Sequence, residues 1–254
     1  MYASAQSLDS LDLANPATAG LDRKLIPVRI TKRLIYRWAL GKSRQNGDMI
    51  KVAVTGGAGA GKTVVCERLG QLGTHVISLD ELAREAVRPG SPVLKAVVEH
   101  FGRDILTADG SLDRGKLRGI ITRDAEARKA LERLTHPEIL RLFEKKIAAI
   151  KSRQEDAVVV AEVPLLIEVG MQDRFDVVIL VEADSEHQKS RLMARNGSSV
   201  ESAAALLGIQ MTPEEKRPHA DYVVENRGTL EELEGPVKEI YAKIIKGAPK
   251  GLTH

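Results

Sequence analysis

The stretch Ile50-Lys51-Val52-Ala53-Val54-Thr55-Gly56-Gly57-Ala58-Gly59-Ala60-Gly61-Lys62-Thr63 decides the fold. Its first half, Ile50 to Thr55, is a short apolar, β-branched run and predicts a buried strand. Its second half, Gly56 to Thr63, matches the phosphate-loop pattern G-x-x-x-x-G-K-S/T. Glycines let the backbone curl until several N–H groups converge on anionic oxygens, which larger side chains would hinder. Lys62 brings a point charge to the β- and γ-phosphates, and the Thr63 hydroxyl suits Mg²⁺. A helix predicted over Thr63–Leu72 opens at this loop and points its positive end at the same phosphates. Gly57, Ala58, Gly59, Ala60, Gly61, Lys62, Thr63 and Val64 are therefore expected to bind the nucleotide. The dinucleotide pattern G-x-G-x-x-G does not fit, because the register starting at Gly57 meets Lys62 where the last glycine should stand.

Working outward, strands and helices alternate. Further short apolar runs lie at His75–Ser78, Ala157–Ala161, Val177–Val181 and Tyr222–Val224, and helical spacing fills Arg123–Ala149. Repetition of strand, crossover and strand predicts an α/β fold with a five-stranded parallel sheet flanked by helices. The gap from about 79 to 156 is too long for one crossover helix, so it must hold an inserted helical subdomain.

The chain has 254 residues, 43% hydrophobic and 29% charged, enough apolar material for a real core. Aromatics are only 3%, which argues against base stacking on nucleic acid. The net charge of +3 is unevenly spread: residues 1–48 carry eight Lys/Arg and four Asp, leaving 30 basic against 31 acidic residues elsewhere. Excess positive charge thus belongs to the N-terminal segment, and the body is not expected to bind nucleic acid. Residues 1–22, rich in Ser, Ala, Asp and Asn, predict weak order. Residues 28–41 are basic and amphipathic. They fit a helix on a membrane surface or RNA, or one packed on the body by Leu34, Ile35 and Trp38. A native start at Met49 is a third possibility. No apolar run is long enough to span a membrane, and no secretory signal pattern is present. The single cysteine, Cys66, permits no intrachain disulfide and fits a reducing cytoplasm. It is either a packed helix residue or a reactive thiol.

A phosphate loop leaves several classes open. Regulatory GTPases should carry Asn-Lys-x-Asp and Asp-x-x-Gly, and neither occurs. A small kinase with a helical insertion fits. A kinase for another nucleotide or small alcohol, and a nucleotide-binding adaptor working through its basic N-terminal helix, are the alternatives.

Ordered short motifs follow the loop: Val76-Ile77-Ser78-Leu79-Asp80 with Leu82-Ala83-Arg84; Pro89-Gly90-Ser91-Pro92; Phe101-Gly102; Asp109-Gly110-Ser111-Leu112-Asp113-Arg114; Thr135-His136-Pro137. Then come Val163-Pro164-Leu165-Leu166-Ile167-Glu168, Gln188 with Arg191 and Arg195, Gln210, Ala220-Asp221 and Asn226. In this order and spacing, from about Met49 to Tyr241, the chain resembles dephospho-CoA kinases. The resemblance implies a P-loop kinase core with a helical CoA-binding insertion within about 80–150 and a small lid within about 190–218, in a kinase domain spanning 49–248. It also implies transfer of the ATP γ-phosphate to the ribose 3′-hydroxyl of dephospho-CoA, with Mg²⁺, in a monomer or weak homo-oligomer.

Roles follow from the same resemblance. Asp80 would orient the attacking hydroxyl and accept its proton, acting with Lys62 and Arg195 in catalysis. Asp80 is also a reasonable N-cap for a helix over Glu81–Val87. Asp80, Arg84, Arg114, His136, Leu166 and Glu168 would meet the acceptor. For the arginines the alternative is a surface salt bridge, for His136 a packed residue closing a helix start, and for Glu168 a cap of the following loop. Arg191 and Arg195, four apart on one helix face, would reach the ATP phosphates from the lid, unless they form a solvated basic face. Asn226 and Gly228 would lie beside the adenine, and Glu162 stands where many P-loop enzymes place an acid for Mg²⁺. Ser78 and Asn196 depart from the family pattern, which commonly has Asp at both positions.

Overall fold

The computed structural model describes residues 28–30, 48–196, 207–208, 210–229 and 231–246. The chain runs β1 (Val28–Ile30), β2 (Ile50–Gly56), α1 (Lys62–Gln71), β3 (His75–Ser78), α2 (Leu79–Ala86), α3 (Pro92–Phe101), α4 (Arg114–Arg123) and α5 (Ala125–Lys151). It continues with β4 (Val158–Glu162), β5 (Val177–Glu182), α6 (Ser185–Asn196), α7 (Pro213–Lys216), β6 (Tyr222–Glu225) and α8 (Glu234–Ile245).

The sheet order is β1-β6-β5-β2-β4-β3. Strands β2 to β6 are mutually parallel, as the alternation of strands and helices predicts. The central strand β2 is buried on both sides: Val52, Ala53 and Val54 have no exposed surface. Alternate side chains of β2 enter opposite layers. Val52 and Val54 pack with Val65, Cys66 and Leu69 of α1 and Val237 and Ile240 of α8. Ala53 faces Leu82, Leu142, Phe143 and Ile147 of α2 and α5. Full burial of a Leu or Phe stabilises by roughly 1.5–3 kcal/mol, so the helices are held chiefly by these faces. Cys66 is buried, and desolvation pushes its thiol well above the ordinary range. A thiol held neutral in the core is inert, so the packed alternative holds.

The chain moves from β2 to one side of the sheet for β3 and β4, then crosses to the other side for β5 and β6. β2 pairs with both β4 and β5 and marks this reversal. In open α/β sheets a ligand crevice forms at the carboxyl end of such a strand, and the glycine-rich loop starts there.

Two expectations are corrected. Residues 28–30, assigned to a basic helix over 28–41, form an edge strand antiparallel to β6, with Arg29 opposite Val223. Three residues show no usable periodicity, and the pairing partner lies almost 200 positions away. The rest of that segment, with Leu34, Ile35 and Trp38, lies outside the described residues. The helix after β3 is capped by Ser78, whose Oγ accepts from Glu81 N, so Asp80 is in its first turn and is not the cap. Among the described residues no helix is long and apolar enough to cross a membrane.

Candidate active site

The phosphate loop is held in a curl that only glycine supplies cheaply. Gly59 has φ +74°, and an added Cβ would stand 2.7 Å from the Gln188 carbonyl oxygen. Gly61 has φ +100°, and a Cβ there would strike the Asn226 amide. Helix α1 then begins with no side-chain cap, its first intrahelical bond running from Val65 N to Gly61 O. The N–H groups of Lys62, Thr63 and Val64 thus have no acceptor within the helix and face the loop, as an anion requires. The Val64 side chain packs on the core, leaving its N–H as its contribution.

Lys62 folds over this loop, its Nζ donating to Gly56 O at 3.1 Å and Gly57 O at 2.9 Å. Burial lowers its pKa, opposed by the charges of Glu162 and Asp80 and reinforced by Lys216. Thr63 Oγ1 donates to Glu162 Oε1 at 2.9 Å. Phosphate-loop hydroxyl and strand-end carboxylate therefore meet at one point, and both are hard oxygen ligands suited to Mg²⁺.

Helix α6 and the end of β6 close over the loop. Arg191 donates to Gly59 O at 3.4 Å and to Asn226 Oδ1 at 3.2 Å, while Asn226 Nδ2 donates to Ala60 O at 2.8 Å. Gln210 Oε1 accepts from Ala58 N at 2.8 Å. Arg195 stands one turn beyond Arg191 on the backbone of α6, and its side chain lies outside the described residues. So do residues 197–206 and 209 of the segment expected to form a lid. Gly228 is exposed beside Glu232.

On the other side, Asp80 projects from the first turn of α2 and Arg114 opens α4. Burial and the neighbouring charges of Arg84 and Arg118 pull the Arg114 pKa down, while Asp80 opposes them. Asp80 is thus felt by both Lys62 and Arg114, between the phosphate loop and a cluster of three arginines. Arg118 was missed, although its position four residues beyond Arg114 on one helix face could have found it.

Three expected acceptor residues behave differently. His136 lies within α5, not at a helix start, because Pro137 is accommodated inside that helix. The Leu166 side chain is wholly buried in the core beneath the sheet. In this conformation it presents no surface to the solvent. Glu168 turns to the segment that leads into α7: its Oε1 accepts from Met211 N at 3.2 Å and lies 2.8 Å from Lys216 Nζ. Nearby, Arg217 grips Glu182 through two bonds of 2.7 and 2.6 Å. Asp221 is structural, accepting from Val178 N at 2.7 Å at the base of β5.

Phosphate loop, strand-end acid, overlying arginine and a helical insertion carrying cations define a P-loop phosphotransferase. A sequence profile described as dephospho-CoA kinase matches residues 50–232. The chain is 45% identical over 192 residues to a dephospho-CoA kinase from Geobacter sulfurreducens, covering 76% of this chain and 97% of that one. It is 42% identical over 201 residues to one from Streptomyces avermitilis, covering 79% and 96%. A solved structure from Thermus thermophilus, 37% identical, superposes with a TM-score of 0.66 over 78% of this chain and 98% of that one. Dephospho-CoA kinase from Campylobacter jejuni, 27% identical, gives 0.56 over 78% and 98%. The chain belongs to the dephospho-CoA kinase family.

Proposed function

We propose that this chain transfers the γ-phosphoryl group of ATP to the ribose 3′-hydroxyl of dephospho-CoA, giving coenzyme A and ADP. The observation that carries this reading is the position of Asp80, whose charge bears on both Lys62 of the donor loop and Arg114 of the arginine cluster. Loop N–H groups from Gly57 to Val64 cradle the donor phosphates, and Lys62 leaves its two carbonyl partners to meet them. Arg84, Arg114 and Arg118 attract the anionic acceptor, which lies along the α2–α5 insertion. Asp80 orients the attacking hydroxyl and takes its proton as the new P–O bond forms and the bond to the ADP oxygen breaks. Arg191, joined by Arg195 from the lid within 190–218, balances charge on the phosphates, and closure excludes water. Thr63 and Glu162 fit Mg²⁺, which when bound neutralises charge on the phosphate oxygens. A lone buried thiol suits a reducing cytoplasm.

Incubation with ATP and dephospho-CoA is expected to add one phosphate to dephospho-CoA by mass, and to leave other nucleotides and small alcohols unmodified. A folded, ATP-binding sample that does not turn over dephospho-CoA would sink this reading. Chelation with EDTA is expected to remove turnover and added Mg²⁺ to restore it. Full activity in EDTA would exclude the assignment of Thr63 and Glu162.

A further inference from the structure

Lys216 closes the short helix α7 with a side chain only 1% exposed. An ammonium carries three donors, yet among the described residues no N–H of this one has an aligned acceptor. Glu168 Oε1 is 2.8 Å from Nζ but off the hydrogen-bond direction, and it already serves Met211 N. The other Glu168 oxygen is buried with no partner among the described residues. A buried ammonium left so incompletely met is costly unless something else completes it.

Its surroundings point to an anion. Lys216 lines a cavity of about 140 Å³ with Gly57 of the phosphate loop, Gln188 and Gln210. The acid Glu182 also lines it, but its carboxylate is taken by both arms of Arg217. A buried ammonium without an aligned acceptor, at a cavity shared with the phosphate loop, is met most completely by an anion held there.

We propose that Lys216 is a second cation for the terminal phosphoryl group of the donor, reaching it from α7 as Lys62 reaches it from the loop. Lys216 thereby makes the site distinguish a triphosphate from a diphosphate. This rests on the reading that Gly56 to Thr63 holds a nucleoside triphosphate. Glu168 holds the ammonium in place until the phosphate arrives. The terminal phosphoryl group, absent from ADP, is the part of the nucleotide that Lys216 touches.

The test is calorimetric binding of ADP and of a non-hydrolysable β,γ-methylene ATP analogue, both with Mg²⁺, to the full chain. In Lys216→Met the analogue is expected to bind roughly tenfold or more weakly, the scale of one charge-assisted hydrogen bond, while ADP changes by no more than about twofold. The double variant Lys216→Met/Glu168→Gln leaves no lone buried carboxylate and should restore folding if the single variant is unstable. It should keep the selective loss. Equal loss for both nucleotides, or loss for neither, would overturn the proposal and leave Lys216 as a structural partner of Glu168. Wild-type protein that takes neither nucleotide would overturn the phosphate-loop reading, and this assignment with it.

Discussion

Lys62→Ala is expected to remove most ATP-dependent turnover, by roughly 10²–10³-fold or more, the scale of losing a preorganised charge at the transferring group. Lys62 is 8% exposed and, among the described residues, its ammonium bonds only to the carbonyls of Gly56 and Gly57. Both are loop groups near which the phosphates would lie. Alanine removes the cation without enlarging anything, so the loop can keep its glycine-determined curl. Stability should not fall much, because burial already disfavours the charged ammonium. Steady-state turnover measured beside the thermal midpoint separates the two effects. Near-normal turnover with an unchanged midpoint would show that Lys62 serves only to close the empty loop.

Asp80→Asn is expected to lower kcat by roughly 10²–10⁴-fold, the range for a positioned general base, while ATP still binds. The replacement keeps size and polarity but cannot take a proton from the acceptor. It also removes the charge opposing burial of Lys62 and crowding of Arg114. The structural role of Asp80 is small, since Ser78 performs the capping. What remains is its charge in the first helical turn, worth about 0.3–1 kcal/mol. Turnover within a few-fold of wild type, with a stability loss of that size, would assign Asp80 to the helix alone. Strand β3, His75–Ser78, carries no carboxylate that could substitute.

Much of the fold was legible because its signals are local. The β2 run, the glycine spacing and the helix after it are consecutive residues with one consistent reading. The length of the 79–156 gap alone required inserted helices. The site was legible where a role needs one residue type at one place, as with Lys62 and Thr63. It was less so where a role depends on a remote partner. Pro-Leu-Leu-Ile-Glu gives no hint that Leu166 turns into the core while Glu168 reaches Lys216, 48 positions on. Basic, amphipathic composition at 28–41 favoured a helix, but pairing with β6 made its first three residues a strand.

The sequence by itself therefore determined the donor loop, the parallel α/β order and the presence of a helical insertion, because hydrophobic period and glycine chemistry act over neighbouring residues. Only the tertiary structure decided which acid meets Thr63, that the charge of Asp80 bears on both Lys62 and Arg114, and that a buried Lys216 stands beside the loop. Those facts arise from strand order, which brings residues about 100 positions apart in the chain, such as Thr63 and Glu162, within hydrogen-bond reach.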